Sequence, residues 1–199
     1  MNSLQASPGL ANLRPGDIIG FSGFNPASYF INLMTYGVPG WSCSHVGIVA
    51  DYPTIGKLIF ESTDEADYQC YIQNAFVTGT QAQEVEPRIM SYKGRVWHYP
   101  LVKPLRTWES KALTRFLVGG LGRKYDAKGA PKAGLKIWAY IMARMYPENQ
   151  EALFCSEWVC AAHRYIERFD TPNISSWSPN ALIREERRRG ILHCRVRLK

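Results

Sequence analysis

Cys155, Val159, Ala162, Ile166 and Phe169 are spaced four, three, four and three apart, and this run constrains the fold more than any other. The spacing traces one face of an amphipathic helix. A helix with a single apolar stripe must bury it against another layer. The run follows the breakers Pro147 and Asn149, so Cys155 is expected in the first turn. Backbone N–H groups are unpaired there and the helix dipole is positive, which favours a thiolate. A small buried packing residue explains a cysteine at that position equally well. Cys160, further along the same helix, is read as packing.

The second layer is legible as strands. Ile18 to Phe21 is a short buried strand after the Arg14-Pro15-Gly16-Asp17 turn. Ser44 to Ala50 alternates, and Lys57 to Ser62 follows after a loop holding Pro53 and Gly56, which predicts a hairpin. His45, Gly47 and Val49 share one face of the first strand, and Ile59 and Glu61 share one face of the second. Pairing Ala50 with Gly56 would set His45 opposite Glu61, and a slip by one residue would part them. Further strands are expected at Glu84 to Ile89, Gly94 to Tyr99 and Ile191 to Lys199. In the last, Leu192, Cys194, Val196 and Leu198 face one way and His193, Arg195 and Arg197 the other.

Helices are expected at Ala27 to Thr35, after Thr107 as cap, at Ala133 to Tyr146, and from Ser178-Pro179 to about Arg189. The helix after Thr107 carries Ala112, Leu113, Phe116 and Leu117, and the Cys155 helix extends to about Phe169. A turn is expected at Gly122 to Asp126. Residues 22–42 are rich in Gly, Asn, Pro and aromatics, either a groove lining or a satellite core.

At 199 residues, 46% of them hydrophobic, the chain suits one globular domain spanning 1–199 with a small antiparallel sheet on the Cys155 helix, an α+β arrangement. No window is apolar for long enough to span a membrane. Met1 to Asn12 lacks a charged-then-apolar export signal, and five cysteines show no framework spacing. Reduced thiols in a cytoplasmic setting, or a virion, are the expectation. The net charge of +7 gathers at Arg184, Arg187, Arg188, Arg189, Arg195, Arg197 and Lys199. A solvated helix face and an edge strand explain that cluster, so nucleic acid is not an expected partner.

A cysteine nucleophile needs a base within hydrogen-bond reach, and the base needs a third group to orient it. Cys155, His45 and Glu61 are the candidates, with Asp64 and Glu65 near enough to replace Glu61. His98, His163 and His193 are read as structural or surface groups. A zinc site from Cys43, His45 and Cys155 is a minor alternative without a Cys-x-x-Cys pair to support it. No metal and no cofactor is expected.

Arg-Pro-Gly-Asp-Ile-Ile at 14–19, Ser-His-Val-Gly-Ile-Val at 44–49, Phe-Glu-Ser at 60–62, Gly-Arg-Lys-Tyr-Asp at 122–126 and Phe-Cys-Ser-Glu-Trp-Val at 154–159 resemble the circularly permuted NlpC-type papain-like proteins, the YiiX-like branch above all. The histidine strand precedes the cysteine helix, as in the permuted members. The resemblance implies a cysteine peptidase or amidase, with Cys155 as nucleophile, His45 as base and Glu61 orienting it. It also implies that Tyr125 lies near the nucleophile and helps hold the oxyanion, together with backbone N–H groups at Cys155 and Ser156. The substrate implied is a peptide, such as a cell-wall peptide, or another acyl group. The rival readings are a lipid-directed acyltransferase or thioesterase, and a non-catalytic binding or virion-structural protein of the same fold.

Overall fold

The computed structural model describes residues 9–34, 37–38, 40–63, 68–122, 150–174 and 177–199. The tyrosine turn after Gly122, the helix expected at 133–146, and Asp64 and Glu65 lie outside them.

Six strands form one antiparallel sheet in the order β6-β3-β2-β1-β7-β8. They are β1 (Ile18–Gly23), β2 (His45–Tyr52), β3 (Gly56–Thr63), β6 (Gly79–Glu84), β7 (Gly94–Tyr99) and β8 (Val196–Arg197). A separate two-stranded ribbon pairs β4 (Gln69–Cys70) with β5 (Ala75–Phe76). The described helices are α1 (Pro26–Met34), α2 (Val85–Ser91), α3 (Thr107–Gly119), α4 (Gln150–Tyr165) and α5 (Pro179–Arg188).

Each face of the sheet has its own core. Val46, Ile48, Ala50, Leu58 and Phe60 pack on the larger side with Cys155, Val159, Ala162, Ile166 and Phe169. The stripe expected from the 4-3-4-3 spacing is thus the face that α4 lays on the sheet. Ile19, Phe21, Val49, Ile59 and Val96 form the smaller core with Ile89 of α2 and Leu13. Sheet residues alternate between the two cores, as their parity requires.

Several expectations are corrected. Glu84 to Ile89 is not a strand: β6 ends at Glu84 and α2 begins at Val85. Pro87 sits in the first turn of α2, where its missing N–H costs nothing. Thr107 is the first residue of α3 rather than its cap; the Glu109 carboxylate reaches back to the Arg106 N–H at 2.7 Å. The C-terminal stretch pairs with β7 only at Trp97↔Arg197 and His98↔Val196, and Val196 stays half exposed. The predicted one-sided alternation fails because Leu192 joins the larger core and Leu198 packs on the smaller one, while Cys194 and Val196 between them are exposed. Ser178 does cap α5, accepting from the Ala181 N–H.

Phe60 is fully buried between β3 and α4. Phe60→Ala is expected to cost roughly 3–5 kcal/mol, read as a lowered urea midpoint with an unchanged slope.

Candidate active site

The hairpin fixes the first contact. In the β2–β3 ladder Gly47 faces Glu61 and Ala50 faces Leu58. The register is shifted by two residues from the one that sets His45 directly opposite Glu61. A shift of two keeps every side chain on its face, so the pair becomes a diagonal one. His45 Nε2 and Glu61 Oε2 are 2.8 Å apart. Gly47 leaves room for this: a Cβ there would lie 2.7 Å from Ile59 Cγ2 and 3.4 Å from Glu61 Cβ.

Glu61 is fully buried and faces the smaller core. A carboxylate in that position needs partners for both oxygens. Arg88 of α2 supplies them, with Nε to Oε1 at 2.6 Å and Nη2 to Oε2 at 3.1 Å. The guanidinium is buried too and lies 4.7 Å from the Phe21 ring centre, 5.0 Å from Tyr68 and 5.4 Å from Tyr92. Phe21 also touches the His45 ring, at 5.4 Å between centres. Burial alone would raise the Glu61 carboxyl, but the Arg88 charge and the hydrogen bond from His45 outweigh it and lower it to about 2.

His45 also hydrogen-bonds Cys155. It is the first residue of β2, at the end of the ladder, where groups from both layers reach the ring. Burial tends to lower its pKa. The charge and hydrogen bond of Cys155, then those of Glu61, reverse this and raise it to about 10. The sulfur and the carboxylate on either side of the ring therefore favour the protonated imidazole. The side chain keeps 13% of its surface exposed, whereas Cys155 is fully covered.

The chain is already helical at Gln150, so Cys155 lies beyond the first turn of α4, not in it. Its N–H and that of Ser156 belong to the helix interior, where hydrogen bonds to the preceding turn use them. His45, rather than a helix end, is the group that faces the sulfur. Tyr125 lies outside the described residues.

Of the other histidines, read from the sequence as structural or surface groups, two are buried against carboxylates. His98 Nε2 meets Asp17 Oδ2 at 2.7 Å, and His163 lies between Glu186 at 2.9 Å and the Gly16 carbonyl at 2.9 Å. His193 is exposed. Cys43 does not join His45 in a metal site. It precedes β2, its sulfur pairs with the Tyr99 hydroxyl at 3.3 Å, and burial pushes its thiol up to about 12. Burial pushes Cys160 up to about 12 as well.

The residue that sequence reasoning missed is Arg88. It sits in a stretch of ambiguous pattern, and its partner is 27 positions away. The carboxylate within a strand, on the same face as Ile59, was the available signal.

No family model matches the chain, and no curated protein matches it. Among solved structures it is similar to one described as the metalloprotein YiiX of Escherichia coli O157:H7, from a family designated DUF1105. The TM-score is 0.51 at 16% identity, over 78% of this chain and 67% of that one. The likeness is one of fold. The word metalloprotein belongs to that protein. Among the described residues here, no three His, Cys, Asp or Glu side chains are grouped to hold a metal, and both Glu61 oxygens are engaged. No helix among them is long and apolar enough to cross a membrane.

His45 contributes stability while it is charged. That contribution is complete below its ordinary value of 6.5 and is lost as pH rises through about 10. Its ring is expected to titrate near 10 by NMR, and Cys155→Ser to lower the midpoint. A midpoint near 6.5 in both proteins would show that no anion faces the ring. Glu61→Gln leaves Arg88 charged and unpaired and is expected to cost roughly 3–5 kcal/mol, measured by denaturant unfolding.

Proposed function

We propose that the protein is a cysteine hydrolase of the permuted NlpC-type papain-like kind, folded as one domain over 1–199, that cleaves amide bonds through a thioester acyl-enzyme. The observation that carries this reading is the continuous chain Cys155–His45–Glu61–Arg88. The Cys155 thiolate attacks the carbonyl carbon and forms a tetrahedral adduct. His45 gives its proton to the leaving amine as the C–N bond breaks. The neutral imidazole then takes a proton from water, whose oxygen displaces the sulfur and releases the acid. Glu61 holds the ring in orientation and stabilises its charged form, and Arg88 holds Glu61. The resemblance assigns Tyr125 to the oxyanion.

The same constellation serves a lipid-directed acyltransferase or thioesterase. An apolar rim on the connection that leads into His45 favours that as the second reading.

Thiolate absorbance in the ultraviolet tests the dyad without requiring reagent access. The difference between parent and Cys155→Ala is expected to persist well below ~8.5, the pKa of an isolated thiol, and to move up to the ordinary range in His45→Gln. A difference that appears only near ~8.5 in both backgrounds would sink the proposal. On a confirmed amide substrate, Cys155→Ala is expected to abolish turnover; full activity in that variant would reject the mechanism. Arg88→Met is expected to shift the acidic limb of kcat/KM upward, because Glu61 then protonates more readily. An unmoved limb would make Arg88 a packing residue only.

A further inference from the structure

We infer that the connection between β1 and β2 is a docking surface for an anionic lipid bilayer. From Ile18 to Ala50 the chain contains no Asp, Glu, Lys or Arg. Within that stretch Phe24, Tyr29, Leu33, Val38 and Trp41 are between 40% and 63% exposed. Most other large apolar residues here are buried, so five exposed ones on one connection need an explanation. The aromatic members converge on Gly40. A Cβ placed there would lie 3.8 Å from the Tyr29 ring, 4.0 Å from Phe24 and 3.6 Å from Arg95 Nη1. Gly40 has φ +72, a conformation that favours glycine, so the loop holds the rings together by a backbone turn that most side chains would strain.

Charge identifies the occupant. Two guanidinium groups border this surface, Arg95 of β7 and Arg195, the residue before β8. The Arg95 guanidinium lies 4.4 Å from the Trp41 ring centre and 5.4 Å from Phe24, and Arg195 lies 4.0 Å from Trp97 and 6.0 Å from Trp41. Each also donates to the loop backbone, Arg95 to the Gly40 carbonyl and Arg195 to the Trp41 carbonyl. Trp41 in turn stacks on Trp97, 6.2 Å between centres. Guanidinium groups set behind half-exposed aromatic rings match phosphate headgroups above an acyl boundary, where Trp, Tyr and Arg side chains are each part apolar and part polar.

Two rival occupants fit less well. A single-stranded nucleic acid would stack on the rings, but the most exposed members are Leu33 at 63% and Val38 at 62%, which offer no stacking face and gain only from hydrocarbon. A second copy related by a two-fold axis would bring each patch against itself and set the arginines of both copies together. The last exposed member is Trp41, and the buried Cys43 and Ser44 separate it in sequence from His45. The docking does not depend on the hydrolase reading, because nothing in it uses Cys155.

Co-sedimentation of the full chain with vesicles tests this, using phosphatidylcholine alone and phosphatidylcholine mixed with phosphatidylglycerol. The parent is expected to bind the mixed vesicles, and the Leu33→Ser/Val38→Ser double variant to bind roughly tenfold or more weakly. Both side chains are more than half exposed, and an unchanged melting curve checks the fold. Arg95→Gln is expected to reduce the preference for phosphatidylglycerol. Tryptophan emission is expected to be quenched by lipids brominated near the headgroup in the parent and to lose most of that quenching in Trp41→Phe. Three results would overturn the proposal. One is no binding to either vesicle. Another is binding that the double variant leaves intact and salt removes, which is adsorption of a cationic chain. The third is tighter binding to single-stranded oligonucleotide that Trp41→Phe abolishes.

Discussion

A carboxylate with no access to water sits in the central hairpin, and much else in the structure answers to it. Glu61 is held by Arg88 on one side and His45 on the other. Removing a charge from water costs several kcal/mol even after relaxation, so the arrangement persists only because both oxygens are engaged. Arg88 has the same difficulty with the opposite sign, and three aromatic rings with Glu61 resolve it. The short helix α2 serves that purpose by bringing Arg88 over the sheet.

Three histidines in this chain pair with carboxylates, and the comparison shows what makes one of them different. His98 with Asp17 and His163 with Glu186 are enclosed, and His163 has both nitrogens taken by oxygen acceptors. They tie turns and helices to the sheet. His45 has the same kind of carboxylate partner, but its ring also meets a sulfur and keeps part of its surface open. A proton held there can be passed to another group, whereas a proton at His163 has nowhere to go. Burial separates the cysteines in the same way. Cys43 and Cys160 are pushed upward by desolvation, and Cys155 alone faces an imidazolium.

The likeness to YiiX of Escherichia coli O157:H7 concerns the path of the chain, at 16% identity. What the molecule does chemically rests on its own side chains. The connection that precedes His45 in the chain has a second character, with uncharged exposed aromatics held by two arginines.

Much of this was written in the sequence. The face of α4 was legible in the spacing of Cys155, Val159, Ala162, Ile166 and Phe169, because burial on a helix imposes a period of 3.6. The faces of His45 and Glu61 followed from strand parity, which survives any even shift in register. The register itself was not legible, since hairpin loops of similar composition close in more than one way. Nor was the helical state of residues 150–154, because Pro147 and Asn149 suggested a later start; that moved Cys155 away from the first turn and leaves His45 as the group that faces it. Arg88 lay beyond reach for a deeper reason. An ion pair between residues 27 positions apart leaves no periodic trace, and only the packing of α2 against the sheet brings the two charges together.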